Sequence, residues 1–201
     1  MENPDIARIH DFWYSRPPVE WFMPPEGFDS ACATQFGGLV QDARDGNLDQ
    51  WTSDRNGSLA IIILLDQFSR NIHRDTPNAF SADPKALDIA IRAIAKGWDG
   101  EVPMAQAVTF YLPLMHNESL LAQIACLAFL EKRRMQSEPG SEDWKFLSGS
   151  IKASKSHLEA IERFGRFPTR NKILGRESTP EELEFVEKQS RVTEAPEASG
   201  S

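Results

Sequence analysis

Residues 64–74 read LLDQFSRNIHR, and they continue an apolar run that spans Ala60 to Leu65. Ile61, Leu64, Leu65, Phe68 and Ile72 recur at three- and four-residue spacing, the period of one helix face. Ile62 and Ile63 add apolar surface on other sides. A helix that is greasy on most faces belongs at the centre of a fold. The segment therefore predicts a central helix, opened by Asn56-Gly57-Ser58. Its second half carries a dense polar set. Asp66 sits among apolar neighbours, where an unpaired carboxylate is costly. Arg70 lies one turn on, on the same face, so an Asp66–Arg70 ion pair is expected. Asn71, His73 and Arg74 follow at the helix end, where cations oppose the negative end of the dipole.

Helical signals extend in both directions. Asn3-Pro4 opens a first helix as cap and first-turn proline, with Ile6, Ile9, Phe12 and Trp13 on one stripe, ended by Pro17-Pro18. Trp21, Phe22, Pro24, Pro25 and Gly27 form an aromatic connection expected to plug against that helix. A second helix is predicted from Asp29 to about Arg44. Asp83-Pro84 is read as the cap of a fourth, stopped at Gly97. A fifth runs from Pro103 to Leu112-Pro113, and a sixth from Asn117 or Ser119 to about Arg134. A seventh covers Glu142 to Phe164. Thr179-Pro180-Glu181-Glu182 is a capping box that opens a short last helix. No alternating strand pattern occurs, so the class is all-α. Short joints between helices imply antiparallel neighbours, as a stack of helix pairs or as an irregular bundle.

Two further stretches carry chemistry. ERFGRFPTRNKILGR, residues 162–176, holds Arg163, Arg166, Arg170, Lys172 and Arg176 with no acid after Glu162. Like residues 64–74, it contains a Phe, an Arg-Asn pair and an Ile before a further Arg. Arginines on such a loop can present their forks to phosphate or carboxylate oxygens, or else cap helix ends and pair with surplus acids. FYLPLMHNE, residues 110–118, places His116, Asn117 and Glu118 on a turn after Pro113. His116 and Glu118 are candidates for an acid/base pair. Their spacing matches no zinc motif, and no metal site is expected.

The remaining features bound the answer. The chain has 201 residues, enough for one domain with a full core. One domain over residues 1–188 and a disordered tail over 189–201 are expected. A formal net charge of −8 argues against nucleic-acid or anionic-membrane partners. The apolar run is too short to span a bilayer, and the N-terminus has no secretion pattern. Cys32 and Cys126 are far apart and not in metal spacing, which fits a reduced cytoplasmic setting. There is no G-x-S-x-G, GKS/GKT loop, G-x-G-x-x-G or HExxH, so no cofactor is expected.

The segments DFWYSRPPVEWF, LLDQFSRNIHR, FYLPLMHNESLLAQ and HLEAIERFGRFPTRNKILGR followed by STPEELEF together resemble DUF924, a family of uncharacterised bacterial proteins. They span about Asp11 to Phe185. The resemblance implies a tetratricopeptide-like helical array and brings no established activity. The family pattern has proline where Ser69 stands, an aromatic at His73 and histidine at Thr169. A role carried by that histidine is therefore not available here.

Three functions follow as expectations. The first is a binding module whose cleft holds an anionic small molecule or a peptide carboxylate through Arg70, Asn71, Arg74, Asn117, Arg166, Arg170 and Asn171. The second is an enzyme on a phosphorylated or carboxylated metabolite, with His116 and Glu118 as acid/base groups. The third is a scaffold in which the motif polars are used internally. Asp66 and His157 are expected to be structural in all three, and the oligomeric state is not readable.

Overall fold

A computed structural model describes the backbone of residues 3–194 and the side chains of residues 3–189. All regular structure among them is helical. The main helices are α1 (Pro4–Tyr14), α2 (Val19–Phe22), α3 (Phe28–Asp45), α4 (Arg55–Ile62), α5 (Ser69–Ile72), α6 (Asp83–Ala95), α7 (Met104–Met115), α8 (Leu120–Met135), α9 (Glu142–Phe164) and α10 (Pro180–Glu194). Between α4 and α5 the helix continues as a π-helical turn, Ile63–Phe68. The all-α reading is thus met.

The central element is the one the sequence indicates. Every residue from Gly57 to Ser69 is buried, and α1, α3, α6 and α7 pack around this rod. Phe68 meets the rings of Phe12, Trp13 and Phe36. Trp13 in turn stacks on Trp21, with centroids 5.1 Å apart, and Trp21 Nε1 donates to the Trp13 carbonyl at 3.0 Å. The aromatic connection is therefore a plug on α1, as its composition suggests. Beyond the rod, α8 packs on α7 and α9 runs back along α8.

Several boundaries differ from the sequence reading. Asp54, not Asn56, caps α4, its carboxylate accepting from Gly57 N at 2.9 Å. Gly57 is needed because a Cβ there would stand 2.0 Å from the Trp51 carbonyl oxygen. Asp83 is the first residue of α6 rather than its cap, and its carboxylate turns away to arginines. Pro113 does not end α7, which runs on to Met115. A proline inside a helix costs about 3 kcal/mol. Burying Leu112, Leu114 and Met115 in that last turn returns about 1.5–3 kcal/mol each. Helix α8 begins at Leu120, after Ser119. The capping box is present as read: Thr179 Oγ1 accepts from Glu182 N at 3.2 Å, and Glu182 Oε2 accepts from Thr179 N at 2.8 Å. Helix α10 continues to Glu194, so the first residues of the expected tail are helical. Residues 195–201 lie outside the described residues.

Candidate functional site

The π turn, Ile63–Phe68, runs into the candidate site. It widens the helix by about one residue. Gln67 within it, and Arg70, Asn71 and Arg74 beyond it, line the same cleft. The cleft has a volume of about 550 Å³, within the usual range for small-molecule sites. Trp21, Phe22, Val108, Leu112, Met115 and Phe146 give it apolar walls, and His116, Lys145, Ser150 and His157 complete the polar lining.

At the floor of this cleft is a buried charge network. Asp66 is fully buried. Its carboxylate accepts from Gln67 Nε2 and from Arg70 at 3.1 Å, and it meets His116 Nδ1 at 2.8–2.9 Å. A carboxylate can only accept, so His116 Nδ1 carries the proton. Nε2, on the opposite side of the ring, is left with its lone pair and has no hydrogen-bond partner among the described residues. His116 itself is fixed at both ends. Its N–H donates to Leu112 O at 2.9 Å, and its carbonyl accepts from Arg170 at 2.8 Å. The second imidazole, His157, lies 6.2 Å from that of His116 between ring centroids. Its Nδ1 donates to the Ala153 carbonyl at 2.9 Å, so its Nε2 is also unprotonated in the neutral ring.

Ionisation follows from this geometry. Burial works against the Asp66 charge, but the neighbouring His116 and Arg70 outweigh it and hold the carboxyl well below its usual range. Burial pushes both His116 and His157 below the ordinary histidine value. The nearby Arg70 pushes in the same direction, and for His116 this prevails over the favourable Asp66 contact. At neutral pH the network is therefore an ionised aspartate, a paired arginine and two neutral imidazoles. That state suits a general base.

The expected site residues separate into three groups. Arg70, Asn71 and Arg74 do line the cleft. Each arginine is already paired, Arg70 with Asp66 and Asp83, and Arg74 with Asp29 at 2.6 Å. Asn71 donates to Gln67 O and accepts from Arg74. A second group ties the C-terminal segment down. Arg166 grips Glu182 at 2.7 and 2.8 Å. Asn171, fully buried, bonds Ser178, Glu182 and Arg176. Glu118 is held by Arg176 at 2.7 and 2.9 Å and by Phe167 N at 2.8 Å. Glu118 is thus not placed beside His116 on the cleft, and the acid/base pairing of those two residues is not formed. A third group lies elsewhere. Asn117 lines a separate apolar cavity, and Arg170 lines a second cavity behind His157.

The Asp66–His116 contact was not legible locally, because fifty positions separate the two residues. The one local signal is the need of a buried Asp66 for partners, and in sequence Arg70 is the partner in reach. Asp83, read from the sequence as a helix cap, joins Arg70 at 3.1 Å and Arg170 at 3.3 Å from the start of α6. Both cysteines are free and buried, and burial pushes their thiols up to about 12, away from the thiolate form. No cluster of three or more His, Cys, Asp or Glu is set to hold a metal among the described residues.

Comparison with known proteins places the chain. The family model described as "Bacterial protein of unknown function (DUF924)" matches residues 9–190. The chain belongs to the DUF924 family. A solved structure of a protein of unknown function from Agrobacterium tumefaciens is similar at 36% sequence identity. The match covers 91% of this chain and 97% of that one, with a TM-score of 0.79. No curated protein matches. The matched DUF924 relatives therefore supply no activity for this chain.

Proposed function

We propose that the cleft between α2, α5, α7 and α9 binds a small molecule with a largely apolar body and an anionic group, and that His116 acts on it as a general base. The observation that carries this reading is the Asp66–His116 contact. An aspartate buried under a histidine fixes the imidazole's tautomer and orientation, and presents Nε2 to the cleft. The same device orients catalytic histidines on unrelated folds. Arg70 keeps Asp66 ionised, so its role is to position rather than to bind. Arg74 and Lys145 at the rim give the cleft mouth a positive bias that steers an anionic ligand toward it. Both are exposed, and their pairs with Asp29 and Glu142 are exposed as well. The single-contact Lys145–Glu142 pair contributes little and yields readily to a ligand, whereas Arg74 is gripped by Asp29 through two bonds at 2.6 and 2.9 Å. On this reading the helices form a tetratricopeptide-like array that carries the cleft on one side, and the protein works in the cytoplasm with its thiols reduced.

The test uses 4-nitrophenyl esters of increasing acyl length as probes of both halves of the reading. Hydrolysis is expected to saturate with the longer acyl chains and to fall by about 10²-fold or more in His116→Gln. Binding of 1-octanol, followed by quenching of tryptophan fluorescence, is expected to survive that substitution. Hydrolysis at equal rates in the two proteins would remove His116 from the chemistry and leave a binding cleft.

A further inference from the structure

Behind His157 lies a second cavity of about 480 Å³, between α9, the loop after it and α10. His157 lines both cavities, so the two spaces meet at this residue. The two spaces differ in character. The first is walled by aromatic and aliphatic side chains. In the second the charged lining is Arg163, Arg170 and Lys188 against Glu159 alone. Three cations facing one carboxylate invert the local sign in a chain whose net charge is −8.

The cations differ in availability. Arg170 is rigid, its guanidinium 4.5 Å from the Phe80 ring centroid and 4.7 Å from that of Phe167, with Asp83 and the His116 carbonyl as partners. Arg163 and Lys188 are exposed, and their pairs with Glu159 and Glu184 are exposed too. Such pairs contribute at most about 1 kcal/mol and yield to a better anion. A phosphate monoester, with nearly two charges and three acceptor oxygens, is the better anion.

We propose that this second cavity takes the phosphate end of the same ligand whose apolar body fills the first cleft. The ligand class is then an alkyl or aryl phosphate ester, with its polar–apolar junction beside His157 and His116. This rests on the reading of the first cleft given above. It adds to that reading both a site and a substrate class.

The experiment compares octyl phosphate, 1-octanol and inorganic phosphate, each below micellar concentration, by calorimetric titration. It uses the full chain and the double variant Arg163→Ala/Lys188→Ala. Both positions are exposed helix-surface sites, and urea unfolding checks that the variant is folded. Octyl phosphate is expected to bind about tenfold or more tightly than either fragment. The double variant is expected to lose about tenfold for octyl phosphate and nothing for octanol. Octyl phosphate binding no tighter than octanol, or unchanged in the variant, would overturn the proposal while leaving the cleft and His116 hydrolysis intact. If octanol fails to bind and octyl phosphate only matches inorganic phosphate, the first reading falls, and the shared ligand falls with it.

Discussion

Replacing Asp66 by Asn keeps the shape of the side chain and removes its charge. At 3.1 Å from Arg70, and with an effective dielectric of about 20, the pair's attraction is worth about 5 kcal/mol before offsets. Arg70 keeps Asp83 as a partner and its side chain is 20% exposed, which returns part of that. A net loss of about 3 kcal/mol is expected, typical of breaking a buried pair from one side. Urea unfolding followed by circular dichroism would show it as a midpoint lowered by about 1 M or more. The substitution also acts on His116. Asp66 is the group that favours the imidazolium, so without it burial and Arg70 act unopposed, and His116 must titrate lower than in the native chain. Histidine ring NMR across pH 4–8 reads this directly. A stability loss under about 1 kcal/mol, with His116 titrating unchanged or higher, would refute the network as described.

Other outcomes follow from the same geometry. Gly57→Ala drives a methyl into the Trp51 carbonyl, 2.0 Å away, and should cost about 3 kcal/mol, read by thermal unfolding. Glu118→Gln should destabilise by about 2 kcal/mol through Arg176 yet leave ester hydrolysis at the native rate, which separates it from His116. The pH dependence has two stages. His73, His116 and His157 are all held below the ordinary histidine value of 6.5, burial being the main cause. The unfolded chain therefore takes up protons first, and stability present above about pH 6.5 is lost as pH falls toward the folded values. Glu118 and Glu182 are held low by Arg176 and Arg166, Glu182 at about 2. Their contribution is present above about pH 4.5 and is lost only below it. His157→Gln should make the first stage smaller in a denaturation series, leaving the share of His73 and His116, and leave the second unchanged.

The fold was more legible than the site, for a physical reason. Helices announce themselves through spacing that a local window contains, as with Ile61, Leu64, Leu65, Phe68 and Ile72, or the capping box at Thr179. Pro113 misled because its local cost is readable while the burial that outweighs it depends on the whole core. The π turn has no local signature at all. It lies where the apolar run gives way to the polar residues, and Gln67, Arg70, Asn71 and Arg74 of that stretch line the cleft. The same limit explains the two arginine motifs, which look alike in sequence and diverge in space. Arg70 and Arg166 both found carboxylates, but Asp66 is also shared with a histidine that reaches the cleft, and Glu182 is shared with Asn171 and a helix cap. What distinguishes a site from a tie is thus the third partner, and that partner came from fifty residues away in one case and eleven in the other. An arginine-rich motif identifies where carboxylates will be buried. Which buried carboxylate also orients a group toward open space is a property of the packing, and in this chain it falls to Asp66.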